Sequence, residues 1–138
     1  MNKFFQFKDF YTKAVHFYEI DAYLSCLAHI NEALSFELPL SEIRLSEAFE
    51  LRGIVKMQLK QYLSSIIDFN KAIELNPENE SIYYYRYLAH SVLSQYEEAI
   101  EDCKKLITLE PDNESHQKNL NSLEELLRLN QRFKNKKE

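Results

Sequence analysis

The sequence predicts an all-α protein made of repeated antiparallel helix hairpins, and three observations lead there. The 138 residues contain 1 glycine and 3 prolines, so the chain lacks the breakers that hairpin turns and phosphate-cradling loops require. Apolar residues recur at three- and four-residue spacing, the period of a helix with one buried face. Finally, the chain repeats itself. Residues 61–80, QYLSSIIDFNKAIELNPENE, and residues 95–114, QYEEAIEDCKKLITLEPDNE, are identical at ten of twenty positions at an offset of 34. Self-similarity at such a period marks a stacked array of supersecondary units.

In chain order, an earlier segment opens the series. Tyr23-Leu24-Ser25 through Asn31-Glu32-Ala33-Leu34 echoes Tyr62-Leu63-Ser64 through Asn70-Lys71-Ala72-Ile73 at an offset of 39. The first two units are thus separated by about five extra residues around Pro39. Each unit reads as two helices. In the third, Ile82, Tyr83, Tyr87, His90 and Leu93 lead to a break at Ser94-Gln95. A second run then follows: Tyr96, Ala99, Ile100, Cys103, Leu106 and Ile107. Pro77 and Pro111 mark helix ends, because the residue before a proline is pushed out of helical dihedrals. Asn79-Glu80-Ser81 and Asn113-Glu114-Ser115 supply side-chain oxygens to cap the next helix. A last amphipathic helix carries Leu120, Leu123, Leu126, Leu127 and Leu129, and its polar remainder suits the closing element of a stack.

These residues resemble the tetratricopeptide (TPR) repeat, a 34-residue helix–turn–helix unit with Ala-x3-Phe-x2-Ala and a closing proline. In the second unit Gly53 matches the small residue where paired helices approach, Tyr62 the aromatic that opens the second helix, Phe69 and Ala72 the packing pair, and Pro77 the terminator. Ser65 stands in for an alanine. The third unit keeps Ala99, Cys103 and Pro111 but has Tyr87 for the small residue and Leu106 for an alanine. The first keeps Ala14, Tyr23, Cys26 and Ala33. The resemblance implies a single TPR-like domain over 1–131, stacked as a short right-handed α-solenoid. Its repeats lie at about 7–40, 46–79 and 80–113, with a capping helix at about 114–131 and a charged tail at 132–138.

In such arrays the first helix of each pair lines a concave surface where partners bind. The positions that the resemblance places there and that form an apolar wall are Tyr11, Val15, Tyr18, Leu51, Ile54, Met57, Tyr84, Tyr85, Leu88 and Val92. Lys8, Thr12, Glu19, Glu47, Glu50, Gln58, Ser81 and Ser91 complete the surface. The helix at 81–93 points the same way unaided. Tyr83, Tyr87 and His90 fall on one face, and Tyr84, Tyr85, Leu88 and Val92 on another. A helix apolar nearly all round is buried nearly all round or presents a binding surface. Tyrosine gives contact area at small rotamer cost, and methionine adds adaptability.

The expected function is therefore a non-catalytic protein-protein interaction module, binding a peptide or helix with apolar anchors and acting as an adaptor, scaffold or chaperone-like protein. In size, repeat count and apolar groove it resembles three-repeat bacterial secretion chaperones. Chaperone-binding TPR proteins hold acidic C-terminal tails with a clamp of Lys, Asn and Arg. Tyr11, Val15, Leu51, Ser81 and Tyr85 occupy those positions here, so the clamp is absent. The competing occupants of the groove are a second copy of the chain, giving a homodimer, and the chain's own Phe4, Phe5 and Phe7.

Charge and composition bear on other classes. Net charge is −5, against a nucleic-acid partner. Arg128, Arg132, Lys134, Lys136 and Lys137 oppose only Glu138 in the last eleven residues, which leaves −9 for residues 1–127. A basic run there complements the dipole of a terminal helix. Cys26 and Cys103 are too few for a disulfide framework, and His16, His29, His90 and His116 show no metal-ligand spacing. Neither metal nor cofactor is expected. Glu47 and Glu50, three apart on one helix face, read as a solvated charge pair rather than a catalytic dyad. With no secretion signal and no run approaching the roughly 18 apolar residues of a membrane span, the expected setting is the cytoplasm.

Overall fold

The computed structural model describes residues 2–36 and 39–136. Glu37 and Leu38, near the join of the first two repeats, and Lys137 and Glu138 of the charged tail lie outside the described residues, as does Met1. Seven helices and no strand are found among the described residues: α1 (Lys3–Glu19), α2 (Tyr23–Ser35), α3 (Glu42–Gln58), α4 (Tyr62–Leu75), α5 (Glu80–Val92), α6 (Tyr96–Leu109) and α7 (Glu114–Asn135). By their packing the helices fall into two compact units, divided after Pro77. In the first, α1 pairs with α2 and α3 with α4, while α2 lies against α3; in the second, α5 pairs with α6 and α7 follows on α6.

Helix starts and stops follow the local chemistry. Ser41, Asn79 and Asn113 accept backbone N–H bonds into the first turns of α3, α5 and α7, meeting donors that have no partner inside the helix. Asn76 and Glu110, each before a proline, leave helical dihedrals at φ −147° and −129°. The turn inside each pair is the same three times over. Ala22, Gln61 and Gln95 donate to the carbonyls of Phe17, Lys56 and His90, five residues back. Asp21, Lys60 and Ser94 donate three residues back. This is the bond pattern of a helix terminus closed by a left-handed residue. That residue is usually glycine, yet here Asp21, Lys60 and Ser94 take φ of 56°, 60° and 56°.

Packing between paired helices is matched by size rather than by residue type. Phe69 is fully buried, and a Cβ built on Gly53 would lie 2.6 Å from its ring. The equivalent positions one repeat later are Tyr87 and Cys103. There the ring comes from the first helix of the pair and the small side chain from the second, both buried. In the first repeat the pair is Ala14 and Ile30, buried in one core cluster. Tyr87 adds volume on the first helix where Cys103 gives it up on the second, so part of the added volume is offset across the pair.

A charged device also recurs at the 34-residue offset. Asp68, buried in α4, takes a two-pronged bond from Arg52 and an ion pair from Lys56. Asp102 in α6 takes the same from Arg86, with His90 Nε2 at 4.0 Å in the lysine's place. Arg52 lies over the ring of Phe49 and Arg86 over that of Tyr83. Burial pushes the Asp102 carboxyl above the ordinary carboxylate value, with Arg86 pulling the other way. The first repeat lacks the device: Lys13 pairs with exposed Asp9, and His29, bonded to the Ser25 carbonyl, lies 4.8 Å from the Phe17 ring.

Two expectations about the ends are adjusted. α1 starts at Lys3, so Phe4, Phe5 and Phe7 form its first turns and Phe7 enters the core. α7 runs to Asn135, four residues past the anticipated limit, carried by good helix formers whose basic side chains suit the last turn.

Candidate functional site

The residues expected to line a binding face fall in both units. In the first unit, Tyr11, Val15 and Tyr18 on α1 and Leu51 and Met57 on α3 are half-buried. Tyr11 stacks on Phe7 with ring centroids 5.8 Å apart and planes 7° apart. Burial raises its phenol pKa, and Glu47 and Glu50 raise it further. A hollow of about 400 Å³ opens here, bounded by Phe4, Lys8, Tyr11 and Thr12 of α1 and by Arg44 and Glu47 of α3. The Arg44 guanidinium lies 5.9 Å from the Phe4 ring centre. Ile54 is a correction. It is 8% exposed, on a helix that packs against α4, α2 and α1, and is buried rather than presented on the wall.

In the second unit α5 divides its apolar residues between two faces. Ile82, Tyr83, Tyr87, Ala89 and His90 are buried. Tyr85 and Leu88 are half-buried, while Tyr84 and Val92 remain 40% and 57% exposed. Tyr84 meets Tyr85 and Tyr87 edge to face, at 5.5 Å and 5.4 Å. Burial pushes the Tyr87 hydroxyl up to about 12, so it stays a neutral donor at physiological pH. His90 is a buried structural residue, its Nδ1 bonded to Gln95 Oε1 at 2.8 Å.

The remaining reactive side chains are occupied by the fold. Cys26 and Cys103 are fully buried, and burial pushes both thiols up to about 11, which opposes thiolate chemistry. Among the described residues, no group of three or more His, Cys, Asp or Glu is placed to hold a metal ion. Also among them, no helix is long and apolar enough to cross a membrane.

Sequence reasoning named Phe4 only as a competing occupant of the groove, and it missed Arg44 at the first hollow and Glu110, His116 and Asn119 around a second recess beside Tyr84. Repeat offsets relate positions within paired helices. They set Asn113, Glu114 and Ser115 opposite Asn79, Glu80 and Ser81, but give no sign that α7 and the end of α6 close a recess against α5.

The family profile for the tetratricopeptide repeat matches residues 46–79 and 88–113. No curated protein matches the chain. Several solved structures resemble it. The TPR domain of Arabidopsis OM64 has a TM-score of 0.77 at 18% identity, over 90% of this chain and 98% of that one. The Hsp90 co-chaperone Cns1 from Saccharomyces cerevisiae has a TM-score of 0.82 at 22% identity, over 99% of this chain and 43% of that one. The second TPR domain of human RPAP3, solved in complex with an HSP70 peptide, has a TM-score of 0.76 at 16% identity, over 89% of this chain and 98% of that one.

Proposed function

The chain carries tetratricopeptide repeats, and from that premise we propose a non-catalytic protein-interaction module whose partner is a peptide or helix with apolar anchors. The observation that carries this reading is the outer face of α5. Tyr84 and Val92 stay exposed there, with Leu88 half-buried between them, while the opposite face is taken up by packing. Tyr11, Val15, Tyr18, Leu51 and Met57 offer surface of the same character in the first unit. Each anchor fully buried contributes about 1.5–3 kcal/mol. Association and side-chain ordering oppose that gain, so two or three anchors give an affinity on the order of micromolar.

The HSP70 peptide held by the RPAP3 domain supports peptide capture as a use of this fold. An acidic chaperone tail is nevertheless a poor match for this chain. The clamp positions hold Tyr11, Val15, Leu51, Ser81 and Tyr85, and Glu47 and Glu50 add negative charge to the surroundings of Tyr11.

The double substitution Tyr85→Glu with Leu88→Glu tests the reading. Capture of a partner from the cell's own lysate should be lost while helical content by circular dichroism is unchanged. Undiminished capture, or an unfolded double variant, defeats it. The second reading, a homo-oligomer, draws on Leu126, Leu129 and Phe133, a stripe of α7 whose last member is 65% exposed. Light scattering that stays at the 16.5 kDa monomer mass across a wide concentration range removes it.

A further inference from the structure

Beside the start of α5 the second unit holds a recess of about 570 Å³. Glu80, Tyr84 and Tyr85 line it from α5, Glu110 from the end of α6, and His116 and Asn119 from α7. No lysine or arginine lines it among the described residues. Tyr84 meets Tyr85 and Tyr87 edge to face there, and Tyr84, 40% exposed, is the ring that offers surface to a cation.

The acidic groups that line it are the carboxylates of Glu80 and Glu110. The Glu80 carboxylate is exposed, and Glu110 Oε2 is bonded to His116 Nε2 at 2.5 Å. A carboxylate can only accept, so His116 Nε2 is the donor in this bond. His116 is 4% exposed and its Nδ1 has no hydrogen-bond partner. Two helix N-termini border the recess, and their partial positive charge would favour an anion. Both are already answered within the chain. Asn79 and Asn113 accept the Ser81 and Ser115 amides, and Glu80 and Glu114 stand in the first turns. What remains is a ring-walled, carboxylate-bearing pocket on a chain that carries −9 outside its last eleven residues.

We propose that this recess binds the guanidinium of an arginine carried by the partner segment, an inference that rests on reading the outer face of α5 as a docking face. A planar cation can lie across the Tyr84 ring while its N–H groups donate to Glu80 and Glu110. Lysine is a compact, strongly hydrated charge and lacks the fork that reaches two carboxylates at once. The acidic body adds a steering field that draws a basic segment toward the site.

The test needs no identified partner. The full chain, labelled with nitrogen-15, is titrated with N-acetyl-arginine methylamide, and in parallel with the lysine and norleucine analogues. The arginine amide should shift amides in the first turns of α5 and α7 and saturate with Kd on the order of 10 mM, the range of one cation–ring contact. Glu80→Gln and Tyr84→Leu should each weaken it at least five-fold, and both sites are exposed enough for the variants to keep their helical content. Norleucine amide producing the same shifts overturns the inference, as do arginine-induced shifts spread away from the recess. Equal binding of the lysine amide overturns the guanidinium assignment. Arginine-amide binding in a protein whose partner capture survives the Tyr85/Leu88 double substitution would uphold the recess and sink the docking face. The opposite pair of results would do the reverse.

Discussion

Replacing Gly53 by alanine probes the closest approach between α3 and α4. An ideal Cβ at this position lies 2.6 Å, 2.8 Å and 3.0 Å from three ring atoms of Phe69. Carbon atoms pack best at about 3.5–4.0 Å, so the ring or the helix must retreat by about 1 Å. Phe69 is fully buried, so the ring can move only by displacing its neighbours. Overpacking of this kind costs about 1–3 kcal/mol, whereas alanine gains about 1 kcal/mol over glycine inside a helix. At the middle of that range sterics outweigh propensity, and the net expectation is a loss of about 1 kcal/mol. Placed on a Phe69→Leu background, the same change should have the opposite sign, because the clash is gone and the propensity gain remains. The coupling between the two sites is then about 2 kcal/mol. Urea unfolding followed by circular dichroism at 222 nm measures all four corners of the cycle. If Gly53→Ala alone is as stable as the parent, the ring is not seated against the glycine and the size-matching account fails.

Two further outcomes follow from burial and from backbone strain. The native thiols of Cys26 and Cys103, pushed up to about 11, should resist a chromogenic disulfide reagent at pH 8 and react within seconds once denatured. Because the folded pKa values lie above the reference 9.0, the thiols' contribution to stability is complete below pH 9. It falls as pH rises toward 11, so the urea midpoint should drop across that window, and a midpoint flat to pH 11 contradicts it. Lys60→Gly and Ser94→Gly should each raise stability by about 0.5–1 kcal/mol, since the left-handed conformation costs an L-residue about 1–2 kcal/mol and the added chain entropy of glycine returns part of that. Destabilisation by either change would show that the side chains, not the backbone, matter at these turns.

Much of the fold was readable because its signals are local or periodic. Pro77 and Pro111 end helices by steric exclusion wherever they occur, and Asn79 and Asn113 cap the next helix with their own side chains. The identity between residues 61–80 and 95–114 was enough to show the hairpin repeat. The turns themselves were less legible. A left-handed closure announces itself by glycine, and Asp21, Lys60 and Ser94 conceal it. Arg52 and Arg86 stand 34 residues apart and so do Asp68 and Asp102, but nothing in the spacing said that these charges meet as buried pairs. The binding face was only partly legible for a related reason. Helical periodicity separates the two faces of α5 cleanly, yet it cannot say how many neighbours cover α3, and Ile54 was lost to the interior on that account.

What the amino-acid order determined by itself is the number and pairing of the helices, because hydrogen bonding within a turn, capping and apolar period act over four residues or fewer. Only tertiary structure decided how volumes are shared between Gly53 and Phe69 and, inverted, between Tyr87 and Cys103. It alone brought Glu80, Tyr84, Glu110 and His116 around one recess. Close packing is a property of a summed volume at a point in space, and a one-dimensional repeat records residue types without recording which of them must fill the same space.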